Sequence, residues 1–449
     1  MQNFLIDVVA MAVVLGIMIV IHELGHHLVA KFFGVRVEVF SVGFGKRLLG
    51  ITRGGTDYRI SALPFGGYVK MAGENPMEER TGDAGEFMSH PRWQRILIAL
   101  AGPAMNILLA IVLLTVVFMV HYEHDAYLDK PAVVGYVDVD SPAAKAGIQT
   151  GDRILRFDNV QNPLWEDVII RSALNPGSPI SLAVQRNSQI ITMQVTPVAH
   201  GKDQAWVPGL RPDQANEVTE IETSMPAYKA GIRVGDEIKA INGKPMHSMS
   251  EIIDFLQQNK EKPLEAVVSR NGQEMKFSLS AVLSDVDGDK RYRMGFLSRA
   301  RMHVDKLPFP QALQRSLEQN KKFSFLILEL VQKMISRKIS MKQVDGPIGI
   351  GRAAGDAVRQ GWISKSPSVL LGLMAAISLN LGIFNLLPFP ILDGGLVLLT
   401  LIESTIRRDI DQRLKERIYQ TAFVFLVIFA AMVVYNDISK LSVFSRYLP

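Results

Sequence analysis

The chain has 449 residues, enough for two to four domains, of which 48% are apolar, and its formal net charge is +5. That charge is small and its bases are scattered or lie beside apolar segments, so nothing in it supports nucleic-acid binding. Cysteine is absent, which excludes disulfides and thiolate metal ligands.

The first element is the apolar run Phe4–Ile21, which leads into "VIHELGHHLV", Val20 to Val29. With Ile96–Tyr122, Val369–Leu392 and Ile418–Tyr435 it makes four stretches of about the 20 residues that a bilayer crossing needs. No Lys or Arg precedes the first, so it is expected to be retained rather than removed as a secretion signal. Lys31, Arg36, Lys46, Arg47, Arg53, Arg59, Lys70, Arg92 and Arg95 lie between spans one and two. Arg407, Arg408, Arg413, Lys415 and Arg417 lie between spans three and four. Basic residues beside span ends mark the cytoplasmic side, so the termini and the long middle region are expected outside.

Ionisable groups within a span cost roughly 2.5–3.5 kcal/mol each and persist mainly where they are used. His22 and His26, four apart on a helix, share a face on which both can hold one metal ion, with Glu23 beside them. Imidazole ligands without thiolates point to Zn²⁺, and a catalytic zinc takes a third protein ligand and keeps one position open. Glu23 is then placed to take a proton from water. Chance would produce this five-residue pattern on the order of once in a hundred such chains. His27 lies off the shared face and reads as a packing or supporting residue.

The third ligand must lie at the depth of His22, about 27 Å of helix from Phe4 at 1.5 Å per residue. Span three runs parallel to span one and ends in "NLLPFPILDGG", Asn385 to Gly395, which brings Asp393 to that depth. Glu403, ten residues on, is the rival and is expected to face water. Pro388 and Pro390 interrupt helical bonding, which membrane depth tolerates where backbone is buried or lines a polar cavity. Asn380 and Asn385 add polar groups that can serve a substrate or bond neighbouring helices.

Between spans two and three, "PAAKAGIQTGDRILRFDN" (Pro142–Asn159) matches "PAYKAGIRVGDEIKAING" (Pro226–Gly243) at about half its positions, 84 residues apart. Each copy reads as a short helix, a Gly turn, a Gly-Asp turn and a strand. This pattern resembles the PDZ domain, which accepts extended peptides by strand addition; two such domains acting only as spacers is the other reading. Further on, Phe323, Leu326, Ile327, Leu330, Val331, Met334 and Ile335 recur at helical spacing among charged residues, as in an amphipathic helix lying in the interface.

The set of HELGH ending a first span, LDG ending a later one and tandem PDZ-like repeats between spans two and three resembles the bacterial site-2 proteases of Gram-negative inner membranes, over nearly the whole chain. The resemblance implies two zinc histidines at His22 and His26, a zinc aspartate at Asp393, a catalytic glutamate at Glu23, and substrate contacts at Asn380, Asn385, Pro388 and Pro390. It also implies a membrane-associated β-hairpin that pairs with unwound substrate, mapped to about Val37–Met71, with Gly43 and Gly45 allowing close backbone approach. "VDGPIGI", Val344 to Ile350, matches a segment implied to help gate substrate entry.

The expected fold is thus a polytopic α-helical membrane protein with about four transmembrane helices, a membrane-associated β-sheet and two external PDZ-like α+β domains. The expected layout is span one at 1–33, a reentrant β region at 34–92, span two at 93–122 and PDZ-like domains at 123–220 and 221–305. An interfacial helix and loop follow at 306–366, then span three at 367–394, a cytoplasmic connector at 395–417, and span four with its tail at 418–449. The implied activity is intramembrane zinc-dependent proteolysis of single-span proteins, such as a pre-trimmed anti-sigma factor and remnant signal peptides. Membrane lipid and peptide ligands of the PDZ-like domains are the other implied partners. The rival is a membrane adaptor with a structural metal, but a closed structural site usually has four protein ligands and the sequence offers three. A membrane-anchored zinc protease acting on exposed loops is the second rival.

Overall fold

The computed structural model describes residues 2–74, 82–128, 130–200, 205–286, 289–336, 346–364 and 366–439. Two compact units emerge, Met1–Tyr122 with Asp305–Pro449, and Glu123–Val304.

In the first unit, α1 (Gln2–Phe32) and α2 (Arg92–Val120) are built from the apolar runs of the sequence. A helix of this kind satisfies its own backbone where water is absent. The two cross closely on small residues: a Cβ on Gly25 would press into the Ala101 backbone and lie 2.8 Å from Met105 Cγ. Between them β1 (Val37–Arg53) and β2 (Thr56–Met71) turn at Gly54 and Gly55, whose φ angles of +58° and +77° suit glycine. The pairing is bulged, so residues 39–42 have 67–70 on one side and 57–60 on the other, while 57–60 pair in turn with 49–52. Two long strands thereby fold into a sheet of four ribbons with residues 67–71 at one edge.

The chain re-enters this unit as α3 (Phe309–Ile335), followed by α4 (Pro347–Ser364), α5 (Ser368–Asn385), α6 (Asp393–Ile406) and α7 (Gln412–Ser439). Among the described residues, four helices are long and apolar enough to cross a membrane: Leu5–Phe32, Arg92–Val120, Ser368–Asn385 and Gln412–Ser439. Three details extend or depart from the sequence reading. First, α3 begins ahead of the amphipathic stretch Phe323–Ile335, and this earlier part lies along α2, burying Ala312, Ser316 and Asn320 at four-residue spacing, with Ser316 Oγ donating to the Ile111 carbonyl at 2.8 Å. Second, the stretch read as a loop after it holds α4, whose Gly351 and Gly355 face Met11 and Asp7 of α1, with Arg359 paired to Asp7 at 2.8 Å. Of the gate-like segment, Val344 and Asp345 lie outside the described residues, while Gly346, Ile348 and Gly349 donate backbone N–H bonds of 2.8, 2.9 and 3.2 Å to the buried Asp437 carboxylate. Third, the third span stops at Asn385, and the segment read as a connector begins with a second apolar helix, α6.

The second unit contains two like modules, each with its own apolar core. In one, strands Val160–Gln161, Arg153–Phe157, Ile180–Arg186 and Gln189–Val195 lie side by side in that order, with helix Trp165–Leu174. In the other, Gln273–Ser280, Pro263–Arg270, Glu237–Ile241, Asn216–Ile221 and Phe296–Ala300 do so, with helix Met249–Asn259. The repeat extends to a lock. Asp152 accepts 2.7 and 2.6 Å bonds from Arg186, which also donates to the Gly147 carbonyl at 2.9 Å. The partners 84 residues later do the same: Asp236 accepts 2.7 and 2.8 Å bonds from Arg270, which donates to Gly231 at 2.7 Å.

Candidate metal centre

His22, Glu23 and His26 sit near the end of α1, and Asp393 opens α6. The turn before Asp393 depends on its glycines: a side chain on Gly394 would collide with the carbonyls of Leu386 and Leu387, and one on Gly395 with Phe389 and Pro390. The non-helical segment 386–392, with Pro388 and Pro390, folds back over the start of α6 and aims Asp393 at the histidines. His22 Nε2 lies 3.1 Å from Asp393 Oδ2, His26 Nε2 lies 3.5 Å from Oδ1, and the two Nε2 atoms are 3.2 Å apart. Each residue offers one donor atom, all within 4.8 Å of one another, and both rings are buried. Tetrahedral bonds of about 2.05 Å place neighbouring donors roughly 3.3 Å apart, so the spacing fits a zinc-sized ion.

The surroundings orient these donors. The Ile98 carbonyl accepts from His26 Nδ1 at 2.8 Å, which leaves Nε2 as that ring's lone-pair donor. Asn106 of α2 stands 3.3 Å from His22 Nδ1 through Nδ2, with its Oδ1 buried and unpartnered. Turning the amide by 180° removes that orphan and lets Oδ1 accept from Nδ1–H, again freeing Nε2 for a metal. Gly102 lies against both rings, and a Cβ there would meet His22 Cε1 at 2.8 Å. Glu23 Oε2 accepts a 3.0 Å bond from the Val69 N–H of β2. A cavity of about 370 Å³ includes His22, Glu23, His26 and Asp393 in its lining, together with Val69, Glu74 and Asn385.

The other sequence candidates separate. Asn385 lines the cavity, whereas Asn380, five residues earlier on α5, is exposed and outside its lining. Pro388 is exposed and Pro390 half-buried in the turn; neither lines the cavity. Gly43 and Gly45 adopt φ +90° and +87° within β1, also away from the lining, where the extended residues are Tyr68, Val69 and Met71 instead. His27 Nε2 meets the Tyr58 hydroxyl at 3.1 Å. Glu403 does not face water: it is 2% exposed, ion-paired with Lys415, and accepts the Ile410 N–H at 3.0 Å. Its charge is answered from α7, so it is not free to serve the cluster. Asn106, Gly102, Val69 and Glu74 went unnoticed in the sequence; a polar Asn and a Gly in the middle of span two were the signal available for the first two.

The sequence pattern of peptidase family M50 matches residues 10–429. The chain belongs to peptidase family M50. As a member it is a metallopeptidase of the site-2 protease kind. A relative from Vibrio cholerae, provisionally named a zinc metalloprotease, is 29% identical over 467 residues, covering 98% of this chain and all of the relative. The regulator of sigma-E protease RseP of Salmonella typhimurium is 29% identical over 470 residues, with the same coverage of both. A PDZ domain of the SdrC-like protein from Listeria monocytogenes aligns with 20% of this chain and 90% of its own at 19% identity and TM-score 0.18, too slight a likeness to bear on the fold.

Proposed function

We propose that this M50 peptidase hydrolyses a peptide bond within the transmembrane segments of single-span proteins, using Zn²⁺ held by His22, His26 and Asp393. The observation that carries the metal assignment is the convergence of His22 Nε2, His26 Nε2 and the Asp393 carboxylate, with one donor atom from each residue within 4.8 Å of the others, beside Glu23 on α1, a helix long and apolar enough to cross a membrane. When bound, zinc supplies the Lewis acidity that polarises the scissile carbonyl and acidifies the attacking water. Glu23 takes the proton released as the water oxygen bonds to the carbonyl carbon, and passes it to the leaving nitrogen as the C–N bond breaks. His26, fixed by Ile98, and His22, fixed by Asn106, hold their Nε2 atoms in place, and Asn385 supplies a polar contact from the cavity wall.

A helical substrate shields its own peptide bonds and must be held extended for attack. The edge at 67–71 sits beside Glu23 and offers a strand on which an unwound segment can pair. Gly43 and Gly45 then serve the sheet by shaping its bend: a side chain on Gly43 would lie 2.6 Å from the Leu63 carbonyl.

The substrates we assign are anti-sigma-factor-type proteins already trimmed outside, and remnant signal peptides. The location is a bacterial inner membrane, with the site near the cytoplasmic face and the termini and repeat modules on the periplasmic side. The repeat modules act as tandem PDZ domains that bind peptides or exclude bulky external domains.

The test uses purified protein in liposomes with a single-span reporter, following zinc content and the cut position by mass spectrometry. Glu23→Gln should keep its zinc and lose cleavage by at least about 10³-fold. A cut lying only outside the reporter's span, or one surviving in Glu23→Gln, would sink this function.

A further inference from the structure

In a β-strand alternate residues direct their N–H groups to the same edge, roughly 6.7 Å apart. Val69 and Met71 are such a pair, on the side of β2 away from β1. The Val69 N–H donates to Glu23 Oε2 at 3.0 Å, and the Met71 N–H donates to Glu74 Oε2 at 3.2 Å. All four residues line the cavity that contains the metal-ligand cluster. Glu74 reaches its place because the chain reverses just after the strand, at Gly73 with φ +63°. The sheet edge that faces the candidate metal centre thus has two of its donors capped by carboxylates, and one of these carboxylates is the catalytic base.

A peptide laid on this edge needs the same two N–H groups for its own carbonyls. We propose that the edge is a competitive switch: an incoming strand displaces Glu23 from Val69 and Glu74 from Met71, so that docking itself frees the base, with Glu74 the positioning residue that sets how hard the edge is to enter. The inference rests on the reading of the chain as a strand-adding peptidase and specifies how its site is held without substrate. A carboxylate is a stronger acceptor than a peptide carbonyl. Only a segment that unwinds readily and gains further contacts in the cavity therefore takes both donors. Until then the capped edge also resists pairing with other strands.

This arrangement gives an unusual sign. Glu74→Ala removes one competitor and should lower KM for the single-span reporter about three- to tenfold, with kcat within about twofold of the parent. Glu74→Gln keeps an oxygen that can accept from Met71 and should return KM to within about twofold of the parent. If Glu74 only stiffens the turn, Glu74→Ala raises KM or lowers kcat; either result, or an unchanged KM in zinc-loaded Glu74→Ala, overturns the proposal. A second measurement needs no variant: in a structure of the full chain with a peptide hydroxamate, the Val69 N–H should bond the ligand's carbonyl, with Glu23 released. Glu23 still bonded to Val69 in that complex overturns the switch. Zinc-dependent, Glu23-dependent cleavage by the parent protein tests the proposed function separately, so the two can fail independently.

Discussion

Asp152 and Asp236 of the repeat unit and Asp393 of the helical unit answer their charges differently. In the repeat unit Asp152 and Asp236 are each 1% exposed, and each is closed by an arginine and a backbone N–H, from Gln149 in one module and Arg233 in the other. In the helical unit the ion-pair partners of Asp393, among the described residues, are His22 and His26, side chains that are cationic only when protonated. A buried anion fully answered by a fixed cation has its electrostatics settled and serves architecture. A half-buried carboxylate such as Asp393, which meets only imidazoles whose lone pairs converge with its own, forms a site still able to take a cation. The contrast recurs within α6, where Asp393 opens onto the histidines while Glu403 is locked to Lys415.

The largest effect that could break this distinction is at Asp393. Asp393→Ala leaves two protein donors where zinc chemistry needs three, so zinc content should fall well below stoichiometric and cleavage by roughly a thousandfold or more. Retention of both would return Glu403, or another carboxylate, to consideration. Next comes Glu403→Ala, which strands the Lys415 ammonium in a site where it is 7% exposed. Removing one partner of a buried pair costs about 3–5 kcal/mol, read as a fall in thermal midpoint, while zinc per folded molecule stays at the parent level. Pairing the change with Lys415→Met should recover most of that loss; a zinc deficit in Glu403→Ala would show instead that the two ends of α6 do not have separate tasks.

Much of this was legible because the helical-unit signals are local. Two histidines four apart on a helix must share a face, and an apolar run of twenty residues has few alternatives to a helix. Depth points to Asp393, since parallel spans bring their same ends together, but it leaves Glu403 as a rival. What could not be read depends on contacts between distant segments. Glu403 looked exposed because Lys415, twelve residues on, lies beyond a turn whose geometry the sequence does not specify. Asn106 and Gly102 matter because α1 and α2 cross at one particular point, and Glu74 because Gly73 reverses the chain there. The family resemblance and the freedom of glycine point to Gly43 and Gly45 as the approach edge, but sheet order decides which strand is outermost, and the bulged register puts 67–71 at the edge beside Glu23. The 84-residue repeat announced the Asp of each lock but not its Arg, which lies in a later strand outside the matched stretch.

The smallest expected effect sharpens the architectural side. At Asp236 burial pushes the carboxyl's pKa up, but the Arg270 guanidinium and the Arg233 N–H outweigh it, so the group lies below its ordinary 3.8. A folded-state pKa below the unfolded one means that the lock's contribution is complete above 3.8 and is lost as pH falls below it through the folded value. Hydrogen exchange in the full chain reads this locally at the amides of Gly235, which donates to the Val218 carbonyl, and Val218, which donates to that of Asp236, both at 2.8 Å. Their protection should be constant from neutral pH down to about 4 and decline below it. Asp236→Asn should lower protection at neutral pH by about 1.5–3 kcal/mol, the usual worth of bonds to a charged group, and should remove this residue's share of the acid dependence. Unchanged protection at neutral pH in that variant would mean the arginine is held by its Gly231 contact and by packing, and that the carboxylate is incidental to the lock.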